Sequence, residues 1–149
     1  MKIIIGCDHV GTVMQEQIIN HLKENDIEVI VSSFENHPVD DYTDFAFDVC
    51  EKVIQEKALG ILICGNGIGM SIAANKVRGI RAARVLTKDD AFKCKNHNGS
   101  NVIALSSEVD IELTKEMVDT FICTKTASEE RYLRRINKMI DFESKNNEL

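Results

Sequence analysis

Aromatic residues occupy only 5% of the chain, and tryptophan is absent. A core must therefore be filled by Ile, Val, Leu and Ala, and the 44% hydrophobic content is enough to build one. Long apolar stretches are missing as well. The opening MKIIIGCDH carries one lysine and a very short apolar run before Asp8, which fits neither a signal peptide nor a membrane span. There is no basic excess: the formal charge is −6 and the pI near 5.2, whereas a nucleic-acid partner usually requires a basic face. Neither nucleic acid nor membrane is expected as a partner, while a few local Arg and Lys residues suffice for a small anion. The five cysteines (Cys7, Cys50, Cys64, Cys94, Cys123) are odd in number, widely spaced and form no CxxC. That is the pattern of free thiols in a reducing cytoplasm, so a cytoplasmic location is expected. A length of 149 residues suits a single domain over 1–149.

Short apolar runs alternate with helical spacing along nearly the whole chain. Strands are predicted at 2–6, 27–31, 58–64, 80–85 and 102–105, and helices at 13–23, 42–56, 71–77, 108–121 and 128–142. The polar end ESKNNEL is expected to fray. The alternation implies right-handed crossovers and a parallel sheet covered on both faces. Ligands in such sheets bind beyond the carboxyl ends of the strands. Cys7 to His9, Cys64 to Gly69 and the segment around His97 are the expected rim.

The stretch GILICGNGIGMSIAANK, from Gly60, places a thiol at the end of an apolar run with Gly65, Gly67 and Gly69 behind it. The dinucleotide fingerprint needs a sixth-position glycine, but Met70 stands there, and a P-loop needs a Gly-Lys-Ser/Thr that is missing. What remains is a strand, a glycine-rich bend and a helix start whose free N–H groups suit a phosphate or a developing oxyanion. Cys64 by itself reads equally well as a buried structural thiol. Asp8-His9 follows the first strand, where Asp8 or Thr12 is also a reasonable helix cap. His97-Asn98 stands in NHNGSN, a turn-like run ahead of the fifth strand. Cys94 and His97 make half a metal site at most, and no metal is expected. In SEERYLRRINK, Arg131 and Arg135 lie one turn apart, either as a phosphate fork or as a solvated face paired with Glu129 and Glu130.

Taken in order, GCDHVG, DYTDFA, GILICGNGIGMSIAANKVRGIRAA, HNGSNVIAL and the late Arg131/Arg135 pair resemble the ribose-5-phosphate isomerase B family, which includes the galactose-6-phosphate isomerase subunits. The resemblance runs from Met1 to about Asp141. It implies a Rossmann-like three-layer αβα sandwich with a five-stranded parallel sheet. It also implies a homodimer or tetramer with sites at the subunit interface and a C-terminal helix packing on the partner. The implied reaction is aldose–ketose isomerisation of a sugar phosphate through a cis-enediolate, without metal or organic cofactor. Carried over by position, Cys64 is the base and His97 the ring-opening acid, acting on the neighbouring subunit's site. Asp8 and His9 hold the ring and phosphate, and Asn98 binds sugar hydroxyls. The backbone of Gly65, Asn66, Gly67, Ile68 and Gly69 forms the anion hole, and Arg131 and Arg135 bind phosphate.

Three positions depart from the family pattern. Asn66 replaces a threonine, Glu108 in SSEV replaces an arginine that touches phosphate, and Glu129-Glu130-Arg131-Tyr132 replaces Gly-Gly-Arg-His. Exchanging a cation for a carboxylate beside phosphate turns attraction into repulsion, and Arg84 or Lys88 is a nearby compensating cation. The alternatives are one subunit of a hetero-oligomeric galactose-6-phosphate isomerase and a catalytically weak sugar-binding homologue.

Overall fold

In the computed structural model, which describes residues 1–146, the chain runs β1 (Lys2–Cys7), α1 (Thr12–Glu24), β2 (Glu28–Val31), α2 (Tyr42–Glu56), β3 (Leu59–Cys64), α3 (Ile68–Ala74), β4 (Ala82–Arg84), α4 (Lys88–Asn98), β5 (Val102–Ser106), α5 (Ile111–Cys123) and α6 (Glu130–Asn146). The strands form one parallel sheet in the order β2-β1-β3-β5-β4. Both faces are covered, so the central strands read as unbroken apolar runs rather than alternating ones. Ile3, Ile4 and Ile5 are all fully buried.

Alternate residues of those strands serve different cores. Ile3, Ile5, Ile61, Ile63, Ile103 and Leu105 pack with α1, α4 and α5. Ile4, Leu62, Cys64 and Ala104 face the other way, against α2 and α3. The α/β architecture and the five parallel strands agree with the sequence reading. Because β1 connects outward to β2 on one side and the chain then returns to β3 on the other, the order reverses between β1 and β3. A crevice opens at the carboxyl ends of strands at such a reversal.

The main difference is α4, a helix where the sequence reads as loop and turn. Its sequence KDDAFKCKNHN buries only Ala91 and Cys94, too few apolar residues to make a visible stripe. Local chemistry defines it instead: the Thr87 hydroxyl accepts from the Asp90 N–H at 3.0 Å, and Gly99 ends the helix at φ +59°. His97 and Asn98 therefore occupy its last turn rather than a free turn. Helix α3 starts three residues earlier than its apolar spacing predicts, and α5 three residues later, where Asp110 caps it. The chain end does not fray from residue 143, since α6 continues to Asn146; residues 147–149 of that expected frayed tail lie outside the described residues. Among the described residues no helix is long and apolar enough to cross a membrane.

Candidate active site

The crevice between β1 and β3 is a cleft of about 370 Å³ lined by Asp8, Tyr42, Cys64, Gly65, Asn66, Ile68 and Gly69. Parallel pairing of Cys7 with Ile63 brings Asp8 level with Cys64. The Asp8 N–H donates to the Ile63 carbonyl at 3.2 Å, and its carboxylate accepts from the Val10 N–H at 3.1 Å. Asp8 thus closes a tight turn rather than capping α1, whose cap position is Gly11 without a side-chain bond. It is 8% exposed and lies at the cleft wall.

Cys64 ends β3, with the N–H of Gly67 donating to its Sγ at 3.2 Å. The following bend is tied at several points. Ser106 Oγ donates to the Gly65 carbonyl at 2.7 Å, and Arg84 Nε to the Asn66 carbonyl at 2.7 Å. The Asn66 side chain accepts from the Ile68 N–H at 2.9 Å. Burial pushes the thiols of Cys7 and Cys50 up to about 12, and that of Cys94 upward too, so these three suit packing rather than proton transfer. Cys64 alone among the five lines this cleft.

His9 stands beside the cleft with its ring 41% exposed, held by Asp40. Nδ1 lies 2.7 Å from one Asp40 oxygen, and the His9 N–H donates to the same oxygen at 3.0 Å. Asn36 Nδ2 and the His37 N–H donate to the other oxygen, each at 3.1 Å. Burial works to raise the Asp40 pKa, but bonds from His9, Asn36 and His37 outweigh it and bring it to about 2. The bond to Asp40 raises the His9 pKa against a smaller desolvation effect.

The remaining sequence candidates lie elsewhere in the chain. The Asn101 carbonyl, just after α4, accepts from the Gly60 N–H at 2.8 Å, and Asn101 N–H donates to Arg81. These are the amino ends of β3 and β4. Roughly 13 Å of strand separates Gly60 from Cys64, so the expectation that the His97 segment joins the carboxyl rim is not met within one chain. His97 stacks on Tyr132, centroids 4.5 Å apart and planes 6° from parallel. Arg131 donates to the Tyr132 hydroxyl at 3.0 Å. Arg134 pairs with Glu130 at 2.6 Å, as the solvated-face reading requires, and Arg135 is exposed on the same helix. Asn98 lines a different cleft of about 420 Å³, with Arg81, Cys94 and Glu143. That cleft is the larger of the two, but its cysteine, Cys94, has a thiol pushed upward by burial, whereas the smaller one sets Cys64 beside the Gly67 N–H. Glu108 is exposed, and its N–H donates to Ser106 Oγ.

This arrangement, a thiol at a β/α switch point with glycine backbone turned toward it, can be set against known proteins. The sequence model of the ribose/galactose isomerase family matches residues 3–139. This chain belongs to that family. Escherichia coli ribose-5-phosphate isomerase B is 38% identical, the match covering 98% of this chain and 99% of that one. Ribose-5-phosphate isomerase B of Mycoplasma genitalium, solved with bound ribulose-5-phosphate, superposes with a TM-score of 0.90 at 38% identity, over 96% of each chain. The Clostridium thermocellum ribose-5-phosphate isomerase B gives 0.92 at 38% identity, over 98% of this chain and 99% of that one. The chain is an isomerase by this relationship.

Sequence reasoning missed two residues of the site. Tyr42 was legible only as part of DYTDFA, because an aromatic at a helix start gives no signal of its own. Asp40 sits in a loop, and only the fold brings it the 31 positions back to His9.

Proposed function

We propose that this isomerase interconverts ribose 5-phosphate and ribulose 5-phosphate through a cis-enediolate. The observation that carries this reading is Cys64 Sγ in the β1/β3 cleft, with the Gly67 N–H donating to it and Asp8 at the same level. The relatives named ribose-5-phosphate isomerase B, one of them holding ribulose-5-phosphate, support the choice of sugar.

Moving a hydrogen between C1 and C2 needs one base poised over both carbons and donors for the oxygen that becomes charged. Cys64 as thiolate takes the C2 proton and returns it to C1. In the bend from Gly65 to Gly69 the Gly67 N–H already donates to Cys64 and the Ile68 N–H to Asn66. The backbone N–H groups of Gly65, Asn66 and Gly69 are therefore the ones assigned to hold the enediolate oxygen. Tyr42, packed against Gly69 at the end of that bend, walls the cleft. Asp8 and His9 hold the sugar ring and phosphate. Neither a metal nor an organic cofactor is called for by this proton shuttle.

Ring opening requires an acid, and His97 is assigned to it from a second copy of the chain. Its position near the amino ends of the strands, away from the cleft of its own chain, supports that assignment. The same second copy supplies Asn98 for sugar hydroxyls and Arg131 and Arg135 for phosphate, so the working form is a homodimer or a tetramer built from dimers.

An isomerase assay on the purified chain, with ribose 5-phosphate, galactose 6-phosphate and free ribose as substrates, tests this. Turnover of ribose 5-phosphate is expected, falling by about 10²–10⁴ in Cys64→Ser, the usual contribution of a positioned base. Undiminished turnover in Cys64→Ser would remove Cys64 from the mechanism.

A further inference from the structure

We propose that Arg84 is a positioning residue, holding the Asn66–Gly67 peptide in the one orientation that presents an N–H to Cys64. The inference rests on reading Cys64 as the base. A peptide unit is a rigid plane with its carbonyl and its N–H pointing in opposite directions. At this plane both ends are engaged: the Asn66 carbonyl accepts from Arg84 Nε at 2.7 Å, and the Gly67 N–H donates to Cys64 Sγ at 3.2 Å. Arg84 pulls on one end and thereby aims the other.

An anchor is needed because Gly67 gives the plane a second choice. Gly67 has φ +78°, and a Cβ there would come within 3.2 Å of the Ala104 carbonyl and 3.3 Å of Leu105. Glycine is required by this close approach to β5, but glycine also takes the opposite sign of φ at little cost. Turning the plane over would place the Asn66 carbonyl against the sulfur, a repulsive contact for a thiolate and the loss of its donor. The preceding plane has its own anchor, since Ser106 Oγ donates to the Gly65 carbonyl at 2.7 Å. Two consecutive carbonyls of the bend are thus drawn away by side chains from β4 and β5.

Arg84 suits this task by place and by chemistry. It ends the edge strand β4 and reaches past the carboxyl end of β5 to the bend after β3. Its bond to Asn66 uses Nε, and no other hydrogen bond or ion pair engages its guanidinium among the described residues. The residue is exposed, so substituting it leaves both cores intact.

The test follows alkylation of each cysteine by iodoacetamide at pH 7, resolved by peptide mass, alongside kcat and KM for ribose 5-phosphate. In Arg84→Met the Cys64 rate is expected to fall about tenfold, the scale of one lost bond to a charged acceptor. Over the same comparison kcat falls and KM stays nearly level. Labelling of Cys7 and Cys50 stays at the parental level, whereas a merely structural role for Arg84 would raise it. Arg84→Lys, which keeps a donor and the charge, restores part of the Cys64 rate. An unchanged Cys64 rate in Arg84→Met would overturn the proposal, and a rise confined to KM would make Arg84 a substrate contact instead. Should the parent chain turn over no ribose 5-phosphate, the proposed reaction falls, while the Cys64 labelling still decides the role of Arg84.

Discussion

The three glycines behind Cys64 answer to different neighbours. A methyl group on Gly69 would sit 2.6 Å from Tyr42 Cζ, so this glycine makes room for the ring that walls the cleft. A Cβ on Gly65 would meet nothing within 4 Å among the described residues, so packing there does not account for it. Gly65→Ala is therefore expected to keep the parental thermal midpoint while raising KM. Gly69→Ala should lower the midpoint as well, with an overpacking cost of about 1–3 kcal/mol; thermal unfolding and initial-rate kinetics separate the two. The His9–Asp40 pair has a defined pH window. Asp40 is depressed to about 2 from 3.8, so its contribution is present above 3.8 and lost as pH falls through 2. His9 is raised from 6.5, so its contribution is full below 6.5 and lost as pH climbs through the raised value. The stability gap between the parent and Asp40→Asn should be widest between pH 4 and 6.5 and shrink on either side, as urea titrations across pH would read. A gap independent of pH would assign Asp40 to neutral hydrogen bonding alone.

Helix α4 shows how an element escapes pattern reading. With only Ala91 and Cys94 buried, its residues carry no stripe, and the helix depends on its ends and on packing against α5 and α6. Its start is held by the Thr87 hydroxyl, which accepts from the Asp90 N–H, and by the Asp90 carboxylate, which accepts from the Leu86 N–H. Thr87→Ala is expected to cost about 1 kcal/mol, the usual worth of such a cap, measurable by urea unfolding. A loss near zero would mean that packing, not the cap, holds the helix. By contrast β1, β3 and β5 were legible at once, because strands buried on both faces must be apolar throughout. Helix α6 is the opposite case: its existence was legible, though it starts two residues later and ends four residues later than expected. Yet only Ile136 is buried, and Leu133, Met139, Ile140 and Phe142 stay exposed in one chain. Such a helix is suited to packing on a second copy.

At the scale of the whole molecule, the sheet separates the two halves of the assigned machinery. Asp8, Tyr42 and Cys64 meet at the carboxyl ends, while His97 and Arg131 meet around Tyr132 at the amino ends. If each site takes its base from one copy and its acid from another, two inactive variants must complement. Co-refolding Cys64→Ser with His97→Ala should restore about one quarter of parental activity, because half the random dimers are mixed and each mixed dimer regains one of two sites. Absence of any recovery in the isomerase assay would place the ring-opening acid within a single chain.

By itself, the sequence determined what depends on local composition and period. The apolar runs set the parallel sheet, and the glycine block marked the bend after β3. A thiol followed by alternating glycines pointed to an anion held by bare backbone, and the proton-transfer role of Cys64 came only from the family resemblance. Tertiary structure alone decided what depends on contacts between distant segments. It paired His9 with Asp40, set Tyr42 over Gly69, anchored the bend through Arg84 and Ser106, and carried His97 away from its own Cys64. Period and propensity reach only a few residues along the chain. Strand order, by contrast, is chosen by burial over the whole molecule, and it is strand order that determines which loops meet.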